Sequence, residues 1–223
     1  MRPFFQTSRQ YVLATLRAEI LGGHHKVGTP LRQEEIAKRL QLSTTPVREA
    51  FRDLLAEGLV SIGPHKGVVT RALTARDVRE IYELRIVLEP MLAARAAPLI
   101  TPAQLDGARA EHQRMCEVAA PEDWASMNEV FHSHLVESQN ETRLFDIVGK
   151  LARISHPYVV LSMHMTPEII QRNNQEHLGL LEAYQMHDAG MAAARTREHL
   201  SNTLETIIRC AEFRTELAEA AAF

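Results

Sequence analysis

Apolar residues recur at helical spacing along most of the 223-residue chain, and the exceptions cluster in its first third. Residues 6–21 read as a helix, with Leu13, Leu16, Ile20 and Leu21 in phase and Gly22-Gly23 closing it. A turn containing Gly28 and Pro30 leads to a short helix over 33–40, carrying Ile36, Ala37 and Leu40. A third helix runs from about Pro46 to Glu57, with Val47, Ala50, Phe51, Leu54 and Leu55 facing inward and Gly58 stopping it. The period then changes. Leu59, Val60 and Ile62, and after them Val68 and Val69, form two short β runs around Gly63-Pro64-His65-Lys66-Gly67, a hairpin signal. Three helices and a two-stranded wing over residues 1–74 predict a winged helix-turn-helix.

From residue 75 onward the β signals vanish. Six helical patterns follow, over about 75–96, 102–119, 121–138, 141–163, 167–187 and 190–217. Thr101-Pro102, Pro121, Thr166-Pro167 and Gly190 mark most of the junctions, because proline suits the first turn of a helix and glycine its ends. The predicted fold is mainly α: an N-terminal winged module joined by a short connector to an all-helical, six-helix bundle over 75–223.

Composition changes this picture little. Hydrophobic residues make up 45% and charged residues 24%, as in ordinary soluble domains. No apolar run approaches the roughly 18 residues of a membrane span, so no membrane partner is expected. The opening MRPFFQTSRQYVL lacks the apolar core of a secretory signal. Cys116 and Cys210 lie far apart within helical patterns and read as two buried thiols, not a disulfide, which suits the cytoplasm. Charge is more informative. Residues 1–74 carry 11 Lys/Arg against 6 Asp/Glu, a balance of +5, while residues 75–223 carry 14 against 22, a balance of −8. A basic module on an acidic body suggests that the module meets a polyanion.

The third helix sits in that basic segment. In Ser43-Thr44-Thr45-Pro46-Val47-Arg48-Glu49-Ala50, Thr45 can cap the helix and Pro46 can take its first position. Arg48 puts a cation in the first turn, where the helix dipole favours anions; an external phosphate would reverse that small cost. The hydroxyls at 43, 44 and 45 stand where a recognition helix presents its N-terminus to a groove.

The stretch Leu31-Arg32-Gln33-Glu34-Glu35-Ile36-Ala37, then Ser43 to Ala50, then Leu54 to Val60 with His65-Lys66-Gly67, resembles the GntR family signature. Its continuation from Asp77 to Glu89, with Glu83-Leu84-Arg85 and Leu88-Glu89, is similar to the start of that family's ligand-binding FCD domain. Six helices instead of seven resemble the shorter VanR-like subgroup. The resemblance implies a DNA-binding transcription regulator of the repressor type, located at the cytoplasmic nucleoid. It implies DNA contacts through Ser43, Thr45, Arg48 and the wing glycine Gly67; Arg32, Thr44, His65 and Lys66 complete the candidate set. Thr44 stands where the family often has arginine, and Glu34 where some members read a base with arginine, so operator preference should differ.

The bundle holds a second constellation. Asn128 and His132 are four apart and share one helix face. His177 and His199 each lie about 11 residues from the corner near Asp188-Ala189-Gly190, roughly 16 Å along their helices, so an antiparallel hairpin brings them level. Three imidazoles and one oxygen can hold a divalent ion with open positions, although eight histidines in this bundle also make chance pairs. The FCD resemblance implies the metal reading, with Asn128 in place of a commoner aspartate and zinc or nickel as the ion. Glu129, the nearby general-base candidate for a hydrolase, faces about 100° away from Asn128.

Arg85 admits two readings: an ion pair with Glu89, four residues on, or, as the resemblance implies, a clamp for the carboxylate of an effector acid above the metal. His134 reads as a surface or satisfied histidine, His156 and His164 flank a helix bent by Pro157, and His24, His25, His112 and His187 read as solvated. Met163 and Met165 read as core. The mechanism expected is a homodimer that presents two recognition helices to a palindrome, with DNA affinity shifted by the acid. A metal-free bundle with an apolar effector is the alternative, and a metal-dependent hydrolase the more remote one.

Overall fold

Helix α1 (Ser8–Leu21) is built on Val12, Leu16 and Ile20, four residues apart and all buried, while Leu13 is only half-buried. Strand β1 (Pro30–Leu31), helix α2 (Gln33–Leu40) and helix α3 (Thr44–Ala56) follow, then strands β2 (Val60–Ile62) and β3 (Val68–Thr70). The structure, a computed structural model, describes residues 7–21, 24–25, 28–63, 67–71 and 75–220, the side chains of 21, 75 and 211–220 excepted. His65 and Lys66 of the wing lie outside these residues.

The sheet has three strands in the order β1-β3-β2, not the two expected. Both pairings are antiparallel, with Leu31 opposite Val68 and Ile62 opposite Val68 on the other edge. A two-residue strand beginning at proline has no alternation to detect, and only β3 makes it visible. Helix α3 starts two residues before Pro46, with Ser43 at its N-cap and no side-chain capping bond. The first-turn N–H groups have no helical partner anyway, so proline is tolerated throughout that turn and does not fix its first residue. Val47, Ala50, Phe51 and Leu54 are buried as expected, whereas Leu55 is half-buried.

Three ion pairs tie this unit together. Arg9 pairs with Asp53 at 2.6 Å, Arg17 with Glu57 at 2.5 Å and Arg39 with Glu19 at 2.6 Å.

The described residues of the second unit form six α-helices: α4 (Ala75–Ala96), α5 (Pro102–Glu117), α6 (Pro121–Val136), α7 (Arg143–Met165), α8 (Glu168–Gln185) and α9 (Ala189–Ala220). Thr101 caps α5 through a capping box with Gln104, and Thr142 caps α7 by accepting from the Phe145 N–H. Asp188, with its side chain on the Met191 N–H, starts α9. His187 turns the chain between α8 and α9 at φ 51. Trp124, Phe131, Met115, Met163, Leu180 and Tyr184 fill the core. Cys116 is exposed, contrary to the expectation of two buried thiols, and Cys210 is buried; both are free. The two units are residues 1–74 and 75–223. Among the described residues no helix is long and apolar enough to cross a membrane.

Candidate functional site

Two polar constellations stand out, one in each unit. In the first, Ser43, Thr44, Thr45 and Arg48 are all exposed at the N-terminal end of α3. Val47 and Ala50, on the opposite side of that turn, are fully buried and fix how the helix is presented. Arg32 is the exposed N-cap of α2 and lies 3.4 Å from Glu35, a solvent-exposed pair of little energy. Gly67 is exposed, its carbonyl accepting from the Gly63 N–H at 2.7 Å. A Cβ added at Gly67 would meet nothing within 4 Å, so packing within the described protein does not demand glycine there.

In the second constellation His177 and His199 are buried and His132 is half-buried. One ring nitrogen from each of His132, His177 and His199 lies within 4.8 Å of the other two. The His177 ring centroid is 5.2 Å from that of His132 and 5.0 Å from that of His199. Helices α6, α8 and α9 each supply one imidazole, and the α8–α9 corner brings His177 and His199 level.

His177 is the unusual member. It is 0% exposed, stacked between Trp124 at 5.7 Å and Phe131 at 4.5 Å, and neither ring nitrogen has a hydrogen-bond partner among the described residues. Leaving such a group unsatisfied costs about 1–3 kcal/mol. The Oδ1 of Asn128, one turn before His132, is likewise buried and unpartnered. Burial holds the His132 and His177 imidazoles well below their ordinary range, and the neighbouring His199 adds to it. Both are therefore neutral, the form that ligates metals.

Sequence reasoning missed the support around these rings. Glu176 Oε2 accepts from His199 Nδ1 at 2.6 Å, and Glu176 Oε1 accepts from Asn202 Nδ2 at 2.7 Å. Burial works against the Glu176 carboxylate, and the hydrogen bonds from His199 and Asn202 overcome it, keeping it ionised. A carboxylate on one imidazole nitrogen fixes the tautomer and leaves the other nitrogen as a ligand. The corner arithmetic that levels His177 with His199 also levels Glu176, and could have found it. His112 is half-buried, not solvated: its Nε2 lies 2.9 Å from the Asn174 carbonyl, and its ring sits 6.3 Å from His177. His134 packs against α5, where a Cβ on Gly107 would come within 2.7 Å of its ring.

Arg85 makes the ion pair expected of the simpler reading. Its Nε donates to Glu89 Oε1 at 2.5 Å, its Nη2 to Glu89 Oε2 at 3.3 Å and its Nη1 to Ser155 Oγ at 2.7 Å. Burial opposes its charge, but Glu89 and its other neighbours outweigh this and raise its pKa. Arg85 is also close enough to help hold His132 neutral. Glu129 is exposed and outside the cluster.

Comparisons with known proteins cover both units. The family model described as "FCD domain" matches residues 80–202, and that described as "Bacterial regulatory proteins, gntR family" matches residues 8–69. The HTH-type transcriptional repressor RspR of Escherichia coli (strain K12) is 27% identical over 207 residues, covering 91% of this chain and 90% of its own. The probable D-xylose utilization operon transcriptional repressor of Paenarthrobacter nicotinovorans is 29% identical, covering 82% and 81%. Among solved structures, E. coli McbR/YncC has a TM-score of 0.68 at 21% identity, covering 92% of this chain and 99% of that one, a likeness of fold.

Proposed function

Because the chain belongs to the gntR family of bacterial regulatory proteins and carries an FCD domain, we propose that it is a repressor whose hold on operator DNA is set by a small organic acid bound at a metal centre. The family consists of transcription regulators and not enzymes, which removes the hydrolase reading. In this proposal residues 1–74 bind DNA and residues 75–223 sense the ligand and dimerise, in the cytoplasm. Two recognition helices of a homodimer meet the half-sites of a palindrome. Ser43, Thr44 and Thr45 address the groove, while Arg48, Arg32, His65 and Lys66 hold phosphates and Gly67 lets the wing approach closely.

The observation that carries the metal reading is His177: a fully buried imidazole whose two nitrogens have no partner among the described residues, close to two further histidines. Nothing in the apolar stack around it repays its burial, whereas a divalent ion would. His132, His177 and His199 would hold the ion, with Asn128 Oδ1 as the neutral oxygen donor and Glu176 orienting His199. Such an ion supplies positive charge and open positions for ligand oxygens. With Asn128 in place of aspartate the donor set is uncharged and keeps the ion near +2, which favours an anionic ligand. Arg85 would add planar donors for a carboxylate, which must share the guanidinium with Glu89. Hydroxy-, keto- and sugar-derived acids, which can offer two oxygens to the ion, are the first compounds to screen.

Elemental analysis of the purified chain, followed by calorimetry with hydroxy acids and their amides, tests this reading. Near-stoichiometric zinc or nickel and a preference for the acid are expected. A metal-free protein that binds acid and amide equally would overturn it in favour of an apolar effector pocket.

A further inference from the structure

The proposed ion would account for one nitrogen of His177 and leave the other. A neutral imidazole carries one proton, and an ion binds its bare nitrogen. The N–H is then left inside a fully buried ring, where an unmade hydrogen bond is costly. His199 meets the same need with Glu176, and His177 has no such partner among the described residues. The bundle does hold a matching acceptor. Asn173 is only 2% exposed, and its Oδ1 is buried with no partner among the described residues.

Donor and acceptor sit one turn apart on α8, a spacing that puts their Cβ atoms about 5–6 Å from each other. Side chains on a helix lean toward its N-terminus, so the His177 ring covers the turn that carries Asn173 and Asn174. Trp124 marks that placement. It stacks on the His177 ring at 5.7 Å while its Nε1 donates to Asn174 Oδ1 at 3.0 Å. Asn174 is thereby occupied, its side chain by Trp124 and its carbonyl by His112 at 2.9 Å. Asn128 Oδ1 is the ion's own donor in the proposed centre, which leaves Asn173. Of the two ring nitrogens, Nδ1 lies nearer the backbone and within reach of so short a side chain, so Nε2 is left for the ion.

We propose that Asn173 is the positioning residue of His177: its Oδ1 accepts from Nδ1–H when the ion sits on Nε2, and this fixes the tautomer that binds. The inference rests on the metal reading above and deepens it. One hydrogen bond satisfies two buried groups at once, and a backing amide adds no charge beside the ion.

The full chain loaded with zinc tests it, by nitrogen-15 NMR of the histidine rings and by competition with a chelator. Wild type should show His177 protonated at Nδ1 with zinc on Nε2. Asn173→Leu removes the acceptor at similar size and should weaken zinc binding by about 10–100-fold. Chelator-treated Asn173→Leu should melt no lower than wild type treated alike, since it loses a buried oxygen that has no partner among the described residues. An asparagine that serves only the fold would show the reverse, a lower melt with unchanged affinity. Asn173→Asp keeps an acceptor at the same reach and should hold zinc at least as tightly as wild type. Zinc on Nδ1 of His177 in wild type, wild-type affinity in Asn173→Leu, or folded Asn173→Asp as weak as Asn173→Leu would each overturn the role of Asn173 and leave the metal reading intact. A wild type that takes up neither zinc nor nickel would overturn both.

Discussion

At the N-terminus of α3, Ser43, Thr44, Thr45 and Arg48 stand in water; in the bundle, His132, His177 and His199 stand largely out of it. In the proposed function each cluster meets a partner. The exposed groups are hydrated meanwhile and cost the fold nothing. The bundle histidines have given up most of their water, and for His177 no group among the described residues replaces it. Substitutions in the first cluster should therefore change binding without changing stability, and substitutions in the second should change both.

The strongest way to break this contrast is His177→Ala/His199→Ala. It removes two of three imidazoles, so metal content by elemental analysis should drop from near one per chain by tenfold or more, as expected for removal of direct ligands. Equal occupancy in wild type and variant would show that the triad is not the metal site.

Acid is the next probe, applied to chelator-treated protein. Folding holds His132 and His177 below their ordinary pKa, so the unfolded chain binds more protons as pH falls through about 6.5. Stability should be flat above that point and fall below it, by up to about 1.4 kcal/mol per pH unit for each histidine. Chemical denaturation at a series of pH values would show this. The slope should shrink in His177→Phe, and an unchanged slope would assign the acid sensitivity elsewhere.

Arg48→Ala should cost about 1.5 kcal/mol of DNA affinity on any sequence and flatten the salt dependence by nearly one unit of slope. Its unfolding midpoint should match that of wild type. Binding isotherms over a salt range check the first claim and a melt the second; a shifted melt would mean that Arg48 belongs to the fold. Gly67→Ala is the gentlest test. The added methyl meets no described atom, so only DNA binding should suffer, and by a few-fold. A variant that binds as well as wild type would remove Gly67 from the DNA surface.

The same contrast explains what the sequence made legible. Helix α3 was readable because Val47, Ala50, Phe51 and Leu54 repeat with the helical period. Its first residue was not, because proline is welcome anywhere in a first turn. Strand β1 escaped because two residues cannot alternate. The triad was readable in part, since an i,i+4 pair and a hairpin corner are both simple geometry. Glu176 and His112 were overlooked, because an ionisable residue in a helix looks solvated until the neighbouring helices cover it. The internal ion pairs of the first unit leave its balance of +5 untouched, because Asp53, Glu57 and Glu19 are already counted against Arg9, Arg17 and Arg39.

The two idle nitrogens of His177 also bear on how many chains are folded at all. An ion held only by the folded bundle stabilises it by mass action, and each tenfold rise in free ion above the dissociation constant adds about 1.4 kcal/mol. The unfolded fraction, on which proteases act, would then shrink about tenfold per decade of available metal. A cell short of that metal would lose copies of the regulator as well as occupancy of its site.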